Sequence, residues 1–200
     1  MKKIVSLLLL SVAFLGYAQE KFDITAVEKY QNHLNSICVN PKTSPLYRKE
    51  RINFKTLDFF PINEKFYVTA KFVKTEEGDP VRLFEKTSRK PEYIKYGEAH
   101  FYIDGKPFKL NVYYNTKIVK NEKSKDNLFL PFSDLTTGKE SYSGGRFIDL
   151  KRPEGETIII DFNQSYNPCS AFKTSYLKSE IPEENHLDIE IQAGIKKYQN

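Results

Sequence analysis

Apolar residues fall at every second position along much of this chain. Phe66, Val68, Ala70 and Phe72 alternate with Tyr67, Thr69 and Lys71, the signature of a strand with one face buried. Ala99, Phe101 and Ile103 repeat it, Asp104-Gly105-Lys106-Pro107 turns the chain, and Phe108, Leu110, Val112 and Tyr114 resume it, which predicts a hairpin. Residues 128–132 are a short apolar run, and residues 146–150 predict another strand. Residues 157–162 are rich in β-branched side chains and predict a buried central strand. A last strand follows, with Leu187, Ile189, Ile191, Ala193 and Ile195 inward and Asp188, Glu190 and Gln192 outward.

One segment has a different period. Ile24, Val27, Tyr30, Leu34 and Ile37 share one face of a helix, introduced by a capping box from Thr25 to Glu28 and ended before Asn40-Pro41. Turn-rich stretches at 76–80 and 153–156, and polar ones at 84–91 and 115–127, separate the strands. The expected fold is mainly β, an antiparallel barrel or sandwich, with one N-terminal amphipathic helix closing an open end or lying across a face.

The N-terminus adds a destination. Met1-Lys2-Lys3 precedes a short apolar run from Ile4 to Gly16, and Gly16-Tyr17-Ala18 carries small residues at the two positions a signal peptidase reads. Residues 1–18 therefore read as a signal peptide and 19–200 as one mainly-β domain, exported to the periplasm or beyond the cell. No cysteine follows the apolar run to take a lipid, and no later stretch is apolar enough to span a membrane. Removing residues 1–18 takes away Lys2 and Lys3 and no acid, so the formal charge falls from +5 to +3. The bases are interspersed with acids, which argues against a nucleic-acid partner. Cys38 and Cys169 are the only cysteines, and spacing alone leaves open whether they pair.

Candidate chemistry gathers late in the chain. Arg146 follows Ser143-Gly144-Gly145, and Asp161 and Asn163 straddle Phe162 where a strand runs into Tyr166-Asn167-Pro168. An inward Arg146 needs an acid, for which Asp149, Asp161 and Glu98 are candidates. In a small-molecule binding reading, Arg146 grips an anionic or polar ligand, Asn163 and Asn167 orient it, and Tyr142 and Tyr166 pack its body. In a hydrolase reading, Asp161 or His186 is the general base. In the third, the same groups form a structural polar cluster with no ligand. Nucleophile-elbow and His-Glu-x-x-His motifs are absent. Asp134, Asp161 and Asn163 lack the dense acidic loop of a calcium site, so neither a metal nor a cofactor is expected.

The blocks Pro131 to Gly138, Tyr142 to Leu150, Asp161 to Pro168, Glu184 to Leu187 and Ala193-Gly194 resemble a bacterial family catalogued as domain of unknown function 1684. With Lys95-Tyr96-Gly97-Glu98 the resemblance extends over most of the chain beyond residue 18. It implies membership and carries no activity. Where the family pattern has a cysteine pair, this chain has Ser170, with Cys169 displaced by one, and Ser179-Glu180-Ile181-Pro182-Glu183. Loss of both together implies a dispensable bond in relatives, and it weighs against a Cys38–Cys169 bridge here.

Overall fold

A computed structural model describes residues 21–76, 80–84, 93–116 and 126–199. The segment read as a signal peptide, most of the two polar stretches and part of the 76–80 turn lie outside the described residues. The strands are β1 (Tyr67–Lys74), β2 (Tyr93–Ile103), β3 (Lys106–Asn115), β4 (Asn127–Asp134), β5 (Arg146–Lys151), β6 (Thr157–Asp161) and a short β7 (His186–Leu187). Helix α1 (Ile24–Val39) and the six-residue α2 (Arg48–Asn53) precede them.

The order β5–β4–β3–β2–β1–β6 is antiparallel throughout, with β7 parallel against β4. The mainly-β, antiparallel expectation holds, and the sheet takes the form of a curled half-barrel. Its inner face carries the main core, built from the inward positions of each strand, such as Ala70, Phe101, Leu110, Leu130, Ile148 and Ile160. Among the described residues no helix is long and apolar enough to cross a membrane.

The hairpin lies where the alternation puts it. Asp104 (φ 51°) and Gly105 (φ 74°) take the left-handed conformations that a two-residue turn between twisted strands requires. Further along β2 a bulge between Lys95 and Gly97 shifts the register. A Cβ at Gly97 would lie 2.6 Å from the Val73 carbonyl oxygen, so only glycine fits there.

Three expectations change. Helix α1 is capped by Asp23, whose carboxylate accepts from the Thr25 N–H at 2.9 Å, so Thr25 lies inside the helix and Ile24 is 52% exposed. The α2 turn, held by Glu50 accepting from the Tyr47 N–H, was not anticipated. Strand β6 is an outer strand that pairs with β1 alone. Curvature of the sheet, not a central position, buries Ile158 and Ile160.

The predicted last strand is the largest departure. Only His186–Leu187 joins a ladder, and the chain from 188 onward is irregular. Leu187, Ile191, Ala193 and Ile195 are nonetheless buried, as the alternation requires. The side chains enter the core at every second position, while much of the backbone pairs with side chains instead of with a neighbouring strand.

Candidate functional site

Arg146 opens β5 on the inward side, directly after Gly145, whose φ of 76° and contact with Phe132 and Ile181 exclude a side chain. Its guanidinium is 1% exposed, the largest fully buried side chain described. It donates to Asp134 Oδ2 at 2.7 Å and to the carbonyls of Ile191 at 2.8 Å, Ala193 at 2.5 Å and Ile195 at 3.4 Å. Phe132 and Phe60 lie over its faces at 5.0 and 5.6 Å. Burial pushes its pKa down, and the Asp134 carboxylate works in the opposite direction. Asp134, none of the three acids anticipated, is its partner. The same carboxylate accepts from the N–H groups of Thr136 and Ile191 and from the Thr136 hydroxyl. The guanidinium is thus shared between Asp134 of β4 and three carbonyls of the irregular C-terminal segment.

Two asparagines do similar work. Asn185 Oδ1 accepts from Asn111 N–H at 3.0 Å, and its Nδ2 donates to the carbonyls of Asn111 and Pro131 at 2.9 and 2.6 Å. Asn185 thus bridges β3 and β4, whose registered pair among the described residues is Tyr113–Phe129. Asn163 does the same for Asn63, accepting from its N–H at 2.9 Å and donating to its carbonyl at 3.0 Å. Asp161 receives the N–H and amide of Asn163 and the amide of Gln164.

A hollow of about 640 Å3 lies elsewhere, against the face of the sheet opposite the core. Its floor is the outward set of the strands: Tyr93 of β2, Phe129 of β4, and Phe147 and Asp149 of β5. Phe129 stands 4.7 Å from Phe147 and 5.2 Å from Tyr93, ring centre to ring centre. Phe84 and Tyr166 meet Phe147 edge-on at 5.9 Å each. The opposite wall is α1, through Tyr30, His33, Leu34, Ile37 and Cys38. Tyr30, Leu34 and Ile37 are only half-buried because the helix's apolar stripe faces this space as well as packed neighbours.

Among the described residues one acid, Asp149, faces the hollow. Tyr166 donates its hydroxyl to Asp149 Oδ1 at 2.8 Å. Asp149 is exposed to water through the opening, yet protein surrounds it on most sides. That desolvation raises its pKa, while the Tyr166 hydrogen bond and Lys151 oppose the rise. Burial, reinforced by the Asp149 charge, also raises the phenols of Tyr30 and Tyr166, so both stay protonated. For Tyr93 burial again leads, with Asn115 lowering and Asp149 raising. Cys38 and Cys169 are free thiols on the same wall. Burial pushes Cys38 to about 11 and also raises Cys169, which leaves little thiolate for nucleophilic attack.

Of the seven residues singled out from the sequence, Tyr166 and Asn167 line this hollow. Tyr142, Arg146, Asp161, Asn163 and His186 do not. Arg146, Asp161 and Asn163 are buried within hydrogen-bonded structure. His186 is exposed and pairs with the Ser133 hydroxyl at 3.0 Å. The expected convergence on Arg146 is therefore replaced by one on Asp149. Its signal in the sequence was the pair Phe129 and Phe147: large rings on the supposed water-facing side of two strands imply that something covers that side.

A second hollow, about 510 Å3, opens beside Lys74, Lys95, Arg152, Tyr96 and Tyr114. Arg152 lies over the Tyr96 and Tyr114 rings at 4.8 and 5.8 Å. Among the described residues no group of three or more His, Cys, Asp or Glu is placed to hold a metal ion.

A family model described as protein of unknown function (DUF1684) matches residues 52–196. The chain belongs to the DUF1684 family. The match includes the Arg146 network and the sheet side of the hollow, whereas α1 precedes it. Comparison with curated proteins gave no match. Among solved structures, the chain is similar to an uncharacterized protein from gene locus rrnAC0354 of Haloarcula marismortui. The two are 28% identical with a TM-score of 0.67, over 86% of this chain and 92% of that one.

Proposed function

We propose that this DUF1684 member is an exported binding module that holds a small, mainly apolar molecule between α1 and the outer face of the sheet. One observation carries the reading: a ring-lined hollow of ligand size with one acid and one phenol paired on its wall. Apolar walls with few polar groups are the usual composition of a small-molecule site. Export is supported by the basic tip, apolar run and small residues of positions 1–18, and every hollow residue follows them. Within this reading Tyr166 and Asn167 keep the ligand-binding role expected of them, and Asp149 takes the central place.

Hydrolysis has less support, because Asp161 is spent on turn contacts and His186 on Ser133. An anionic ligand keeps one point in its favour. Arg152 is stacked on two rings and its Nε has no hydrogen-bond partner among the described residues; Lys74 and Lys95, the latter paired with Glu98, border the same polar hollow with Glu76. Arg152→Gln abolishing inorganic phosphate binding would establish that second reading.

The main reading is tested by native mass spectrometry of protein purified from its own host, with wild type and Leu34→Trp compared. An adduct or a bound neutral dye such as Nile red, lost when the tryptophan fills the hollow, is the expected result. Unchanged dye binding in a folded Leu34→Trp variant would place the ligand elsewhere. N-terminal sequencing of the exported form is expected to begin at Gln19.

A further inference from the structure

Resting on the α1 hollow as the binding site, we infer that its ligand is an organic cation, an ammonium group carried on an apolar or aromatic body. Among the described residues, the wall of this hollow contains Asp149 and neither a lysine nor an arginine. Asp149 forms no ion pair with a lysine or arginine among the described residues, and its hydrogen bond comes from Tyr166.

The rings complete the argument. Tyr30, Tyr93 and Tyr166 surround the acid, with Phe84, Phe129 and Phe147 behind them. The face of each ring is the negative end of its quadrupole, so a cation gains from several rings at once as well as from the carboxylate. A neutral ligand gains only burial, and an anion meets the rings' negative faces and a carboxylate. Asn167, buried on the same wall, has its side-chain oxygen without a hydrogen-bond partner. The Asp149 carboxylate and this amide oxygen are acceptors that an ammonium's N–H groups match, beside the phenol hydroxyls of Tyr30 and Tyr93. Among the described residues the ionisable groups around Asp149 are Lys151 on its own strand, His33 on α1, and the three neutral phenols.

Three probes of one shape test the charge directly: 2-(2-naphthyl)ethylammonium, 2-(2-naphthyl)ethanol and 3-(2-naphthyl)propionate, titrated at pH 8 against the whole exported chain. Binding is read from the ring NMR signals of Tyr30, Tyr93 and Tyr166. The ammonium is expected to bind at least about tenfold more tightly than the alcohol, with the propionate weakest. In Asp149→Asn the ammonium's preference over the alcohol should fall below about threefold. Alcohol or propionate binding as tightly as the ammonium overturns the inference and leaves the hollow as a binding site. No perturbation by any of the three overturns both. Should Asp149→Asn fold poorly, Asp149→Ser gives the same comparison.

Discussion

The Tyr166 hydroxyl donates to the Asp149 carboxylate at 2.8 Å on the side of the sheet that faces away from the core. Two elements separated by β6 meet there, since Phe147 and Tyr166 also form a backbone bridge with N···O distances of 2.9 Å in both directions. The bridge fixes the acid against the floor of the hollow, and desolvation raises its pKa. An acid whose folded pKa exceeds its unfolded value binds protons more readily when folded. Its contribution to stability is fully present below the unfolded value, near pH 4, and is lost as pH rises through the folded one. Asp149→Asn should therefore raise the melting temperature of the ligand-free protein at pH 8, and the gain should vanish below about pH 4. Melting curves of both forms across that range check it. A variant less stable at pH 8 would make the carboxylate a structural anchor for Tyr166.

Arg146 is expected to behave as scaffold. Replacing it with leucine leaves the Asp134 carboxylate buried without its cation, a loss of about 3–5 kcal/mol. Arg146→Lys keeps a charge but cannot reach the carboxylate and three carbonyls in separate directions. It should lower the urea midpoint clearly while changing the dissociation constant of the naphthylethylammonium probe by no more than about twofold. Unchanged stability together with lost probe binding would return Arg146 to the site.

How far the sequence could be read depends on what generates each feature. The β1–β3 meander was legible because one face of each strand is buried and the other wet, which writes the alternation directly into residues such as Val68, Ala70 and Phe72. The stretch 187–195 carries the same alternation, yet beyond Leu187 its backbone bonds to Arg146, Asp134 and scattered backbone groups of Leu135, Phe60 and Ser165 instead of running along a strand. Periodicity reports which side chains are buried and is silent about what pairs with the backbone. The polar blocks were correctly seen as unusual. Their asparagines and acids, however, are unusual because they replace missing strand partners, as Asn185 and Asn163 do. The hollow was hidden because Asp149 looks like an ordinary outward residue between Ile148 and Leu150. Only the fold brings α1 over it.

Asn185 provides a direct measure of that replacement role. It is fully buried and serves three backbone groups across the gap between β3 and β4. Asn185→Ala strands the Asn111 N–H and the Asn111 and Pro131 carbonyls in the core. Unsatisfied buried groups cost about 1–3 kcal/mol each, and water admitted to the gap returns part of it, so a net loss of about 2–4 kcal/mol is expected. Hydrogen exchange should quicken first at the Asn111 amide. Asn185→Asp keeps the acceptor and loses the donor, so it should also destabilise. Equal stability of wild type and Asn185→Ala would mean that β3 and β4 close the split unaided.

Glu98 gives the opposite pH dependence to Asp149. On the outer side of β2 it accepts from Lys95 at 2.6 Å and Lys109 at 3.2 Å, and His100 lies 3.1 Å away. The hydrogen bond from Lys95 is the main cause that lowers its pKa to about 2, with Lys109 adding to it and burial opposing. A depressed acid stabilises the fold above its unfolded value, near pH 4.3, and loses that contribution as pH falls through the folded value. The partners are partly exposed, so solvent screens the pairs and the whole network is worth about 1 kcal/mol or less. Glu98→Gln should lower the urea midpoint slightly at pH 7, with the difference narrowing from about pH 4 downward. Salt at 1 M should shrink it too, because exposed pairs are screened within about 3 Å at that strength. A difference that persists in acid and in salt would assign the effect to packing of the glutamate stem and not to its charge.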